Sequence, residues 1–557
     1  MTTKLLLYYN TLRYLKPSQI YWRVWYKLIH PRPDSNSRVE LRKTSGKFIE
    51  VTRGSQSLLD HDTFVFLNEV GSLSELGWDG LRREKLWRYN QHYFDDLNAV
   101  DAPDRFEWHK TLIARWADEN PPGQGTGWEP YPTSLRIVNW VKWALTYDPP
   151  KPFEFSESFN KSLATQARFL ARRLEWHLLG NHLFANAKAL VFSGLYFHGS
   201  EANSWLRSGL KIIDRELNEQ VLNDGGNFER SPMYHAIFLE DLLDLINLTG
   251  VFSNQIDPES VECWRKVAKK MLSWLKTMTH PDGEIALFND AAFGVAPSLA
   301  DLEAYAARLG LDFEGKENLT AQENQHITVH HLKESGYIRL SSKSAISFLD
   351  VAPIGPDYLP GHAHADTLSF ELSIYEQRVI VNGGTSCYGL GIDRFRERET
   401  LSHSTVEING QSSSEVWSGF RVARRAYPFD LDVFSDSSVA IISCSHDGYK
   451  RFPGKPIHRR TWEMSENSIE IRDVITGPYS QAVARFIIHP DITVSKITRD
   501  VFELKLPQGN LITFLSQQGL SSLELASYAP EFGKTLPTNC ISVSLDQGVS
   551  SIQMKWI

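Results

Sequence analysis

The apolar residues of this chain change period once. From about residue 80 to 310 they recur at the three-and-four spacing of a helix face, as in "SLRIVNWVKWALTY", "SLATQARFLARRLEWHL" and "LEDLLDLINLTGVF". Beyond about residue 330 they alternate, in β-rich runs such as "YIRLS", "LSFELSI" and "SIEIRDV" separated by Gly, Asn, Asp, Ser and Pro. Helices followed by strands, rather than interleaved with them, exclude a doubly wound α/β fold and predict a helical domain followed by an antiparallel sheet domain. The polar stretch "EGKENLTAQENQH", at about residues 314 to 326, is the expected boundary. The organisation expected is an N-terminal segment over 1–79 packed on the helical domain, a helical domain over 80–325 and a sheet domain over 326–557. The helical part has several segments of paired-helix length. Consecutive helical hairpins close into a toroid with a concave face suited to a polymer, or stack into an open solenoid, and the pattern alone permits both.

Composition narrows the function. The chain has 557 residues, 42% of them hydrophobic, which is enough for substantial cores. Its formal net charge is −8, so no overall surplus draws it to nucleic acid, and an anionic ligand needs a local basic site. Cys263, Cys387, Cys444 and Cys540 lie far apart, which suggests neither a disulfide framework nor a Cys-based zinc site. The N-terminal segment "MTTKLLLYYNTLRYLKPSQIYWRVWYKLIHPRP" has too short an apolar run for a signal peptide, and no later run is long enough for a membrane span. A cytoplasmic location is expected, with the periplasm as the alternative. The same segment reads as a basic amphipathic helix packed on the protein, with a membrane-surface helix as its second reading, since Tyr21, Trp22, Trp25 and Tyr26 mingle with Arg and Lys.

Four clusters carry residue types suited to chemistry. In "LLGNHLFANAKAL", Asn181 and His182 open a helix, where Asn181 also suits an N-cap. In "NDGGNFERSPMYHAIFLEDLL", Tyr234 stands beside His235 and near Arg230, and nearby positive charge is expected to lower its phenol pKa toward acid/base work. In "LPGHAHADTLSFELSI", a strand starting early enough would put His362, His364 and Asp366 on one face. The fourth cluster combines "VIVNGGTSCYG" with "RFRERETLSHSTVEINGQ", contributing Asn382, Tyr388, Arg396 and His403. His364 and His403, with an oxygen donor between them in sequence, suit Zn²⁺ or Mn²⁺. Two further segments bring together Asn90 and His92, and Trp128 and Arg136, whose aromatic faces and polar groups suit a carbohydrate cleft.

Taken in order, "NH" on a helix, "FERSPMYH" on a later helix, "GHAHADTLSFEL" entering the sheet domain, "GGT" with a Tyr, and "HSTVEING" resemble the heparinase II/III superfamily of polysaccharide lyases and its alginate-lyase relatives, over roughly residues 80 to 420. The resemblance implies an N-terminal (α/α) toroid followed by an antiparallel β-sandwich, and β-elimination on a uronate polysaccharide such as a glycosaminoglycan or alginate. It implies that Asn181, with His182, neutralises the uronate carboxylate, that Tyr234 protonates the leaving oxygen, and that Tyr234 or His362 takes the C5 proton. Asn90, His92, Trp128, Arg136, Arg230 and Tyr388 are the expected substrate-binding residues. A divalent metal, Zn or Mn, in a structural role is implied at His364, Asn382 and His403, without an organic cofactor. Three positions depart from the family pattern: Asn382 where many relatives carry Asp, Ala185 where Glu is frequent, and Ser404 where Asn is frequent. A catalytically silent polysaccharide-binding protein is the second reading. A glycoside hydrolase is the third, and would need a pair of carboxylates among Glu129, Asp224, Glu229 and Asp290.

Overall fold

In a computed structural model the described residues are 2–36, 39–147, 157–311 and 326–557. The expected boundary stretch therefore lies almost wholly outside them. The helices of the first part are α1 Thr2–Leu12, α2 Pro17–Leu28, α3 Leu73–Leu76, α4 Lys85–Tyr93, α5 Phe106–Glu119, α6 Pro130–Thr146, α7 Glu157–Ala171, α8 Gly180–Tyr196, α9 Ser200–Gln220, α10 Pro232–Val251, α11 Pro258–Thr277 and α12 Leu299–Arg308.

Inner and outer helices alternate. Helices α4, α6, α8, α10 and α12 pack each against the next, and α7, α9 and α11 lie outside them as amphipathic partners. This alternation is the one expected of an (α/α) toroid. Helices α8 and α10 are apolar nearly all round, and every residue of α8 except Asn181 and His182 is buried. A helix of that kind needs neighbours on all sides, which the outer helices supply.

Ion pairs lock the inner helices together. Lys188 on α8 lies 2.6 Å from Asp241 and 2.5 Å from Asp244 on α10, Lys142 on α6 also pairs with Asp244, and the Tyr305 hydroxyl of α12 donates to Asp244 at 3.0 Å. Burial alone would raise the Asp244 pKa, but Lys142 and Lys188 outweigh it and hold the group below the usual carboxylate range.

The second part is a sandwich of two antiparallel sheets. Among the described residues, a nine-stranded sheet runs in the order 520–531, 534–544, 482–488, 377–381, 370–374, 345–350, 337–341 and 328–332, with 406–408 added beside 482–488. An eight-stranded sheet runs 428–435, 439–446, 457–465, 468–476, 549–556, 511–518, 501–505 and 493–496. Alternate residues of both, among them Phe370, Phe486, Trp462 and Phe514, fill the space between them. The outer face of the nine-stranded sheet reaches the toroid, because Val381, Ile487, Tyr528 and Cys540 belong to the toroid's hydrophobic cluster. The strand after the histidine cluster begins at Phe370, later than the sequence pattern suggested, so His362, His364 and Asp366 sit on an irregular loop rather than on one strand face.

The N-terminal segment is stapled to the toroid by Asp96. Its carboxylate accepts the Ser57 and Leu58 N–H groups at 2.7 and 2.9 Å, Arg105 Nε at 2.8 Å and His109 Nε2 at 2.8 Å. Burial pushes the Asp96 pKa up, but the bonds from His109, Arg105 and the two backbone groups outweigh it and bring it to about 2. A carboxylate depressed in the folded state contributes stability above its unfolded pKa of about 4 and loses it as pH falls through the folded value. Asp96→Asn is therefore expected to lower stability by about 2 kcal/mol at neutral pH, with a gap from the parent that narrows below about pH 4, measured by urea unfolding across pH. A gap independent of pH would remove Asp96 from this role.

Candidate active site

A cavity of about 600 Å³ lies where the N-terminal ends of α6, α8 and α10 face loops of the sheet domain. Tyr131, Asn181, His182 and Tyr234 line it from those helices, Tyr89 and Tyr93 from α4, and His362, Tyr388 and Phe420 from the sheet domain. Helix N-termini carry partial positive charge, so the floor of this cavity favours an anion.

The wall between the domains is organised by Asp290, which is fully buried. Its turn is joined to the histidine loop at two points, where the Asp290 N–H donates to the His362 carbonyl at 2.9 Å and the His364 N–H to the Asn289 side-chain oxygen at 3.0 Å, while Asn289 Nδ2 ties the turn to the Arg230 carbonyl at 3.0 Å. Asn289 and Arg230 both adopt left-handed backbone, at φ of 57° and 60°. Strain of this kind persists only where surrounding bonds enforce it. The Asp290 carboxylate then gathers His362 Nδ1 at 2.9 Å, His364 Nε2 at 2.8 Å and both terminal nitrogens of Arg394, on the helix α13 Ile392–Arg398. Burial would raise this carboxyl, but Arg394 and the two histidines hold it well below the usual range. An ionised carboxylate only accepts, so each histidine donates the N–H that meets it. In its neutral form His362 then carries its lone pair on Nε2, and His364 carries its own on Nδ1.

Tyr234 lies against His362, with ring centroids 3.9 Å apart, and its hydroxyl is 2.7 Å from that of Tyr388. The expectation of a lowered Tyr234 pKa is overturned: burial, Tyr388 and Asp290 raise it well above the usual phenol value. The cation nearest in sequence, Arg230, points away, donating its Nε to the Ser335 carbonyl at 2.9 Å. At neutral pH Tyr234 holds its proton and is poised to donate it.

Asn181 sits in the first turn of α8, which starts one residue earlier, so it is not an N-cap. Its backbone N–H donates to Glu229, whose pKa is raised by burial. Glu229 Oε2 is 3.8 Å from His362 Nε2. Gly180 is required twice over: its φ is 55°, and a Cβ there would lie 2.3 Å from Leu359 and 3.1 Å from Glu229. His182 Nδ1 meets Glu175 Oε1 at 3.1 Å, and Asn186 Nδ2 donates to Glu175 Oε2 at 3.0 Å. Glu175 thus supplies a carboxylate to His182 although position 185 is Ala. Burial opposes charge on the imidazole, but Glu175 outweighs it and raises the His182 pKa.

A second pocket of polar atoms lies behind His362. His364, Asn382 and His403 are all fully buried, their rings or amide close together, with the two imidazole centroids 5.2 Å apart and His403 Nδ1 3.4 Å from Asn382 Oδ1. Among the described residues, His364 Nδ1, Asn382 Nδ2 and His403 Nε2 have no hydrogen-bond partner. Burial lowers the His364 pKa to about 4 and that of His403 well below its usual value, leaving both rings neutral. Asp366 is committed elsewhere: its carboxylate accepts the Asn289 N–H at 3.2 Å.

Several residues expected to touch substrate are structural instead. His92, Trp128 and Arg136 are buried beneath the cavity, where Trp116 Nε1 donates to His92 Nδ1 at 3.0 Å and the Arg136 guanidinium lies 3.7 Å from the Trp116 ring centre. Asn90 donates back to the Leu86 carbonyl within α4, and Arg230 props the 335 turn. None of these five lines the cavity, whereas Tyr388 does. Asp290, Glu175 and Glu229 are the groups that sequence reasoning missed as supports of the site.

Comparison with known proteins follows this geometry. The model of the heparinase II/III N-terminus matches residues 87–306, and that of the heparinase II/III-like C-terminal domain matches 325–556. A heparin-sulfate lyase of Bacteroides stercoris is 23% identical over 432 residues, covering 72% of this chain and 58% of that protein. FtsZ-localized protein C of Caulobacter vibrioides is 26% identical over 434 residues, covering 73% of this chain and 70% of its own. Among solved structures, a heparinase III aligns with a TM-score of 0.66 at 16% identity, covering 86% of this chain and 77% of that one. A heparan sulfate lyase of Pedobacter heparinus aligns at 0.57 and 16%, covering 97% and 87%. These structural likenesses establish the toroid and sandwich.

Removing the Asp290 carboxylate strands a buried guanidinium. Asp290→Ala is expected to cost about 3–5 kcal/mol in urea unfolding. An unchanged midpoint would mean that the network adds no net stability.

Proposed function

The chain belongs to the heparinase II/III family, and from that premise we propose that it is a polysaccharide lyase acting on a uronate-containing polysaccharide by β-elimination. The observation that carries the reading is the contact of a protonated phenol, Tyr234, with an imidazole, His362, whose free nitrogen is fixed by Asp290.

The C5 proton of a uronate is a very weak acid, so negative charge developing on the carboxylate must be dispersed as it leaves. Asn181 and His182 at the N-terminal end of α8 meet that charge, and Glu175 raises the His182 pKa, which favours the protonated imidazole. His362 removes the proton through Nε2. Tyr234, hydrogen-bonded to Tyr388, delivers a proton to the departing O4 oxygen. The glycosidic C4–O4 bond breaks, a C4–C5 double bond forms, and no water is consumed.

A glycosaminoglycan such as heparan sulfate, hyaluronan or chondroitin is the favoured substrate class, with alginate as its alternative. The relatives named as heparin-sulfate lyases support the first, although the chain spans 58% of the length of the Bacteroides protein. Hydrolysis is disfavoured because its carboxylates are otherwise engaged: Asp290 with Arg394, Asp224 with the 334–335 backbone, and Glu129 with Lys85. Glu229 shares the cavity lining with Glu69, Glu84 and Asp357, of which Glu69 is paired with Arg83 and Asp357 with Arg425. A catalytically silent polysaccharide-binding role is the second reading, favoured by the similarity to FtsZ-localized protein C.

The family also implies a divalent metal, and two buried imidazole nitrogens without partners, His364 Nδ1 and His403 Nε2, beside the Asn382 amide fit one. We assign Zn²⁺ or Mn²⁺ to His364 through Nδ1, the Asn382 amide oxygen and the His403 imidazole. When bound, it serves as a structural cross-link between the histidine loop and the 382 and 403 segments, with Asp290 orienting His364 from behind as an outer carboxylate does in many metal sites.

Two outcomes are expected. Tyr234→Phe should reduce turnover, followed by ultraviolet absorbance of the unsaturated uronate over a panel of uronate polymers, by about 10²–10⁴-fold while polymer binding persists. Normal turnover would remove Tyr234 from the mechanism. Elemental analysis after incubation with Zn²⁺ or Mn²⁺ and desalting should find about one ion per chain in the parent and none in His403→Ala; equal content in both would exclude this site.

A further inference from the structure

The N-terminal helical pair α1 and α2 presents two different faces. Inward, Trp22 stacks on Trp176 with centroids 6.3 Å apart, the Tyr26 hydroxyl donates to the Leu174 carbonyl, and Gln19 Nε2 donates to the Tyr358 carbonyl at 3.3 Å. From α1, Thr11 accepts Trp417 Nε1 at 3.0 Å, and Tyr8 lies edge-on to Trp417 at 4.9 Å. The pair is thus anchored to both domains and holds its orientation.

Outward, α2 exposes Ile20, Tyr21, Val24, Trp25 and Leu28, with Val24 at 53% and Leu28 at 72% of full exposure. At 100° per residue these five fall within about 140° of the helix circumference, opposite Gln19, Trp22 and Tyr26. Helix α1 adds exposed Leu5, Leu6 and Tyr9, with Tyr9 at 64%. A folded protein does not leave so many large apolar groups on one short segment without a use for them.

Charge identifies the occupant. The first 33 residues hold Lys4, Arg13, Lys16, Arg23, Lys27 and Arg32 and no acidic residue, in a chain whose net charge is −8. Of the six, Lys16 pairs with Glu219, while Lys4 and Lys27 are exposed with no ion-pair partner among the described residues. An apolar face containing Tyr and Trp, bordered by unpaired cations, matches the acyl–headgroup boundary of an anionic bilayer. A second copy of the chain would bring two such cationic faces together without compensation. We propose that α1 and α2 form a membrane-surface docking site that holds this protein on an anionic lipid bilayer, its outer residues inserted at the interface and its inner residues keeping the two domains attached. Among the described residues no helix is long and apolar enough to cross the membrane, so the association is peripheral and weakened by salt.

The test is cosedimentation of the full chain with vesicles of phosphatidylcholine alone or with one third phosphatidylglycerol. The chain is expected to pellet with the anionic vesicles at low salt, to release at high salt, and to stay in solution with phosphatidylcholine. Two variants, Ile20→Ser/Val24→Ser/Leu28→Ser and Lys4→Glu/Lys27→Glu, should each lower the bound fraction at least about fivefold with unchanged thermal unfolding. A chain that stays in solution with anionic vesicles overturns the proposal, as does equal binding to both vesicle types. Sedimentation velocity supplies the remaining arm: a dimer that the serine variant converts to monomer would assign the face to a second copy instead. If the serine variant unfolds, the charge variant decides, and its undiminished binding overturns the proposal.

Discussion

One buried carboxylate decides what the surrounding histidines can do. Asp290 accepts from His362 through Nδ1 and from His364 through Nε2, so two imidazoles two residues apart are held in opposite tautomers and face opposite ways. One free nitrogen belongs to the cavity and the other to the closed pocket with Asn382 and His403. Arg394 makes this arrangement tolerable, because an unpaired carboxylate at full burial would otherwise take up a proton and release both rings. Asp290 comes from the end of the toroid and the histidines from the sheet domain, so the same bonds that set the chemistry also fix the domains against one another.

Burial sets the remaining roles. Tyr234 and Tyr388 are kept neutral because an apolar surround penalises a phenolate, and this suits donation rather than abstraction. His182 is also enclosed, yet Glu175 reverses the sign of its shift. The cavity therefore combines a protonated phenol, an imidazole oriented by Asp290 and, at a helix N-terminus, an imidazole whose pKa is raised. Left-handed backbone at Leu179, Arg230 and Asn289 falls beside Asn181, Glu229 and Asp290, so local strain is concentrated where these groups converge.

Much of the architecture was legible from periodicity, since a helix that is apolar all round, like α8 or α10, and a strand that alternates, like 457–465, write their environments into the sequence. Asn181, His182, Tyr234, His362 and Tyr388 were all named from local motifs, and all five line the same cavity. What stayed hidden was long-range support. Asp290 is 72 residues from His362 and 104 from Arg394, and nothing near "FNDAAFG" announces either partner. Glu175 replaces a carboxylate that a motif comparison seeks at position 185, a substitution through space. The opposite error arose at His92, Trp128 and Arg136: aromatic and polar residues mixed together look like a sugar-binding surface, but here indole N–H groups and a guanidinium face are satisfied inside the core. The exposed outer face of α2 was ambiguous for a related reason, because amphipathicity gives a helix two faces without saying what covers the second.

The account's central claim is that the cavity performs elimination rather than hydrolysis. The most direct measurement is mass spectrometry of oligosaccharides released from a uronate polymer in water enriched in oxygen-18. Elimination predicts products with an unsaturated terminal uronate, lighter by one water than their hydrolytic counterparts and free of the heavy isotope. Saturated products carrying oxygen-18 at the new reducing end would contradict it.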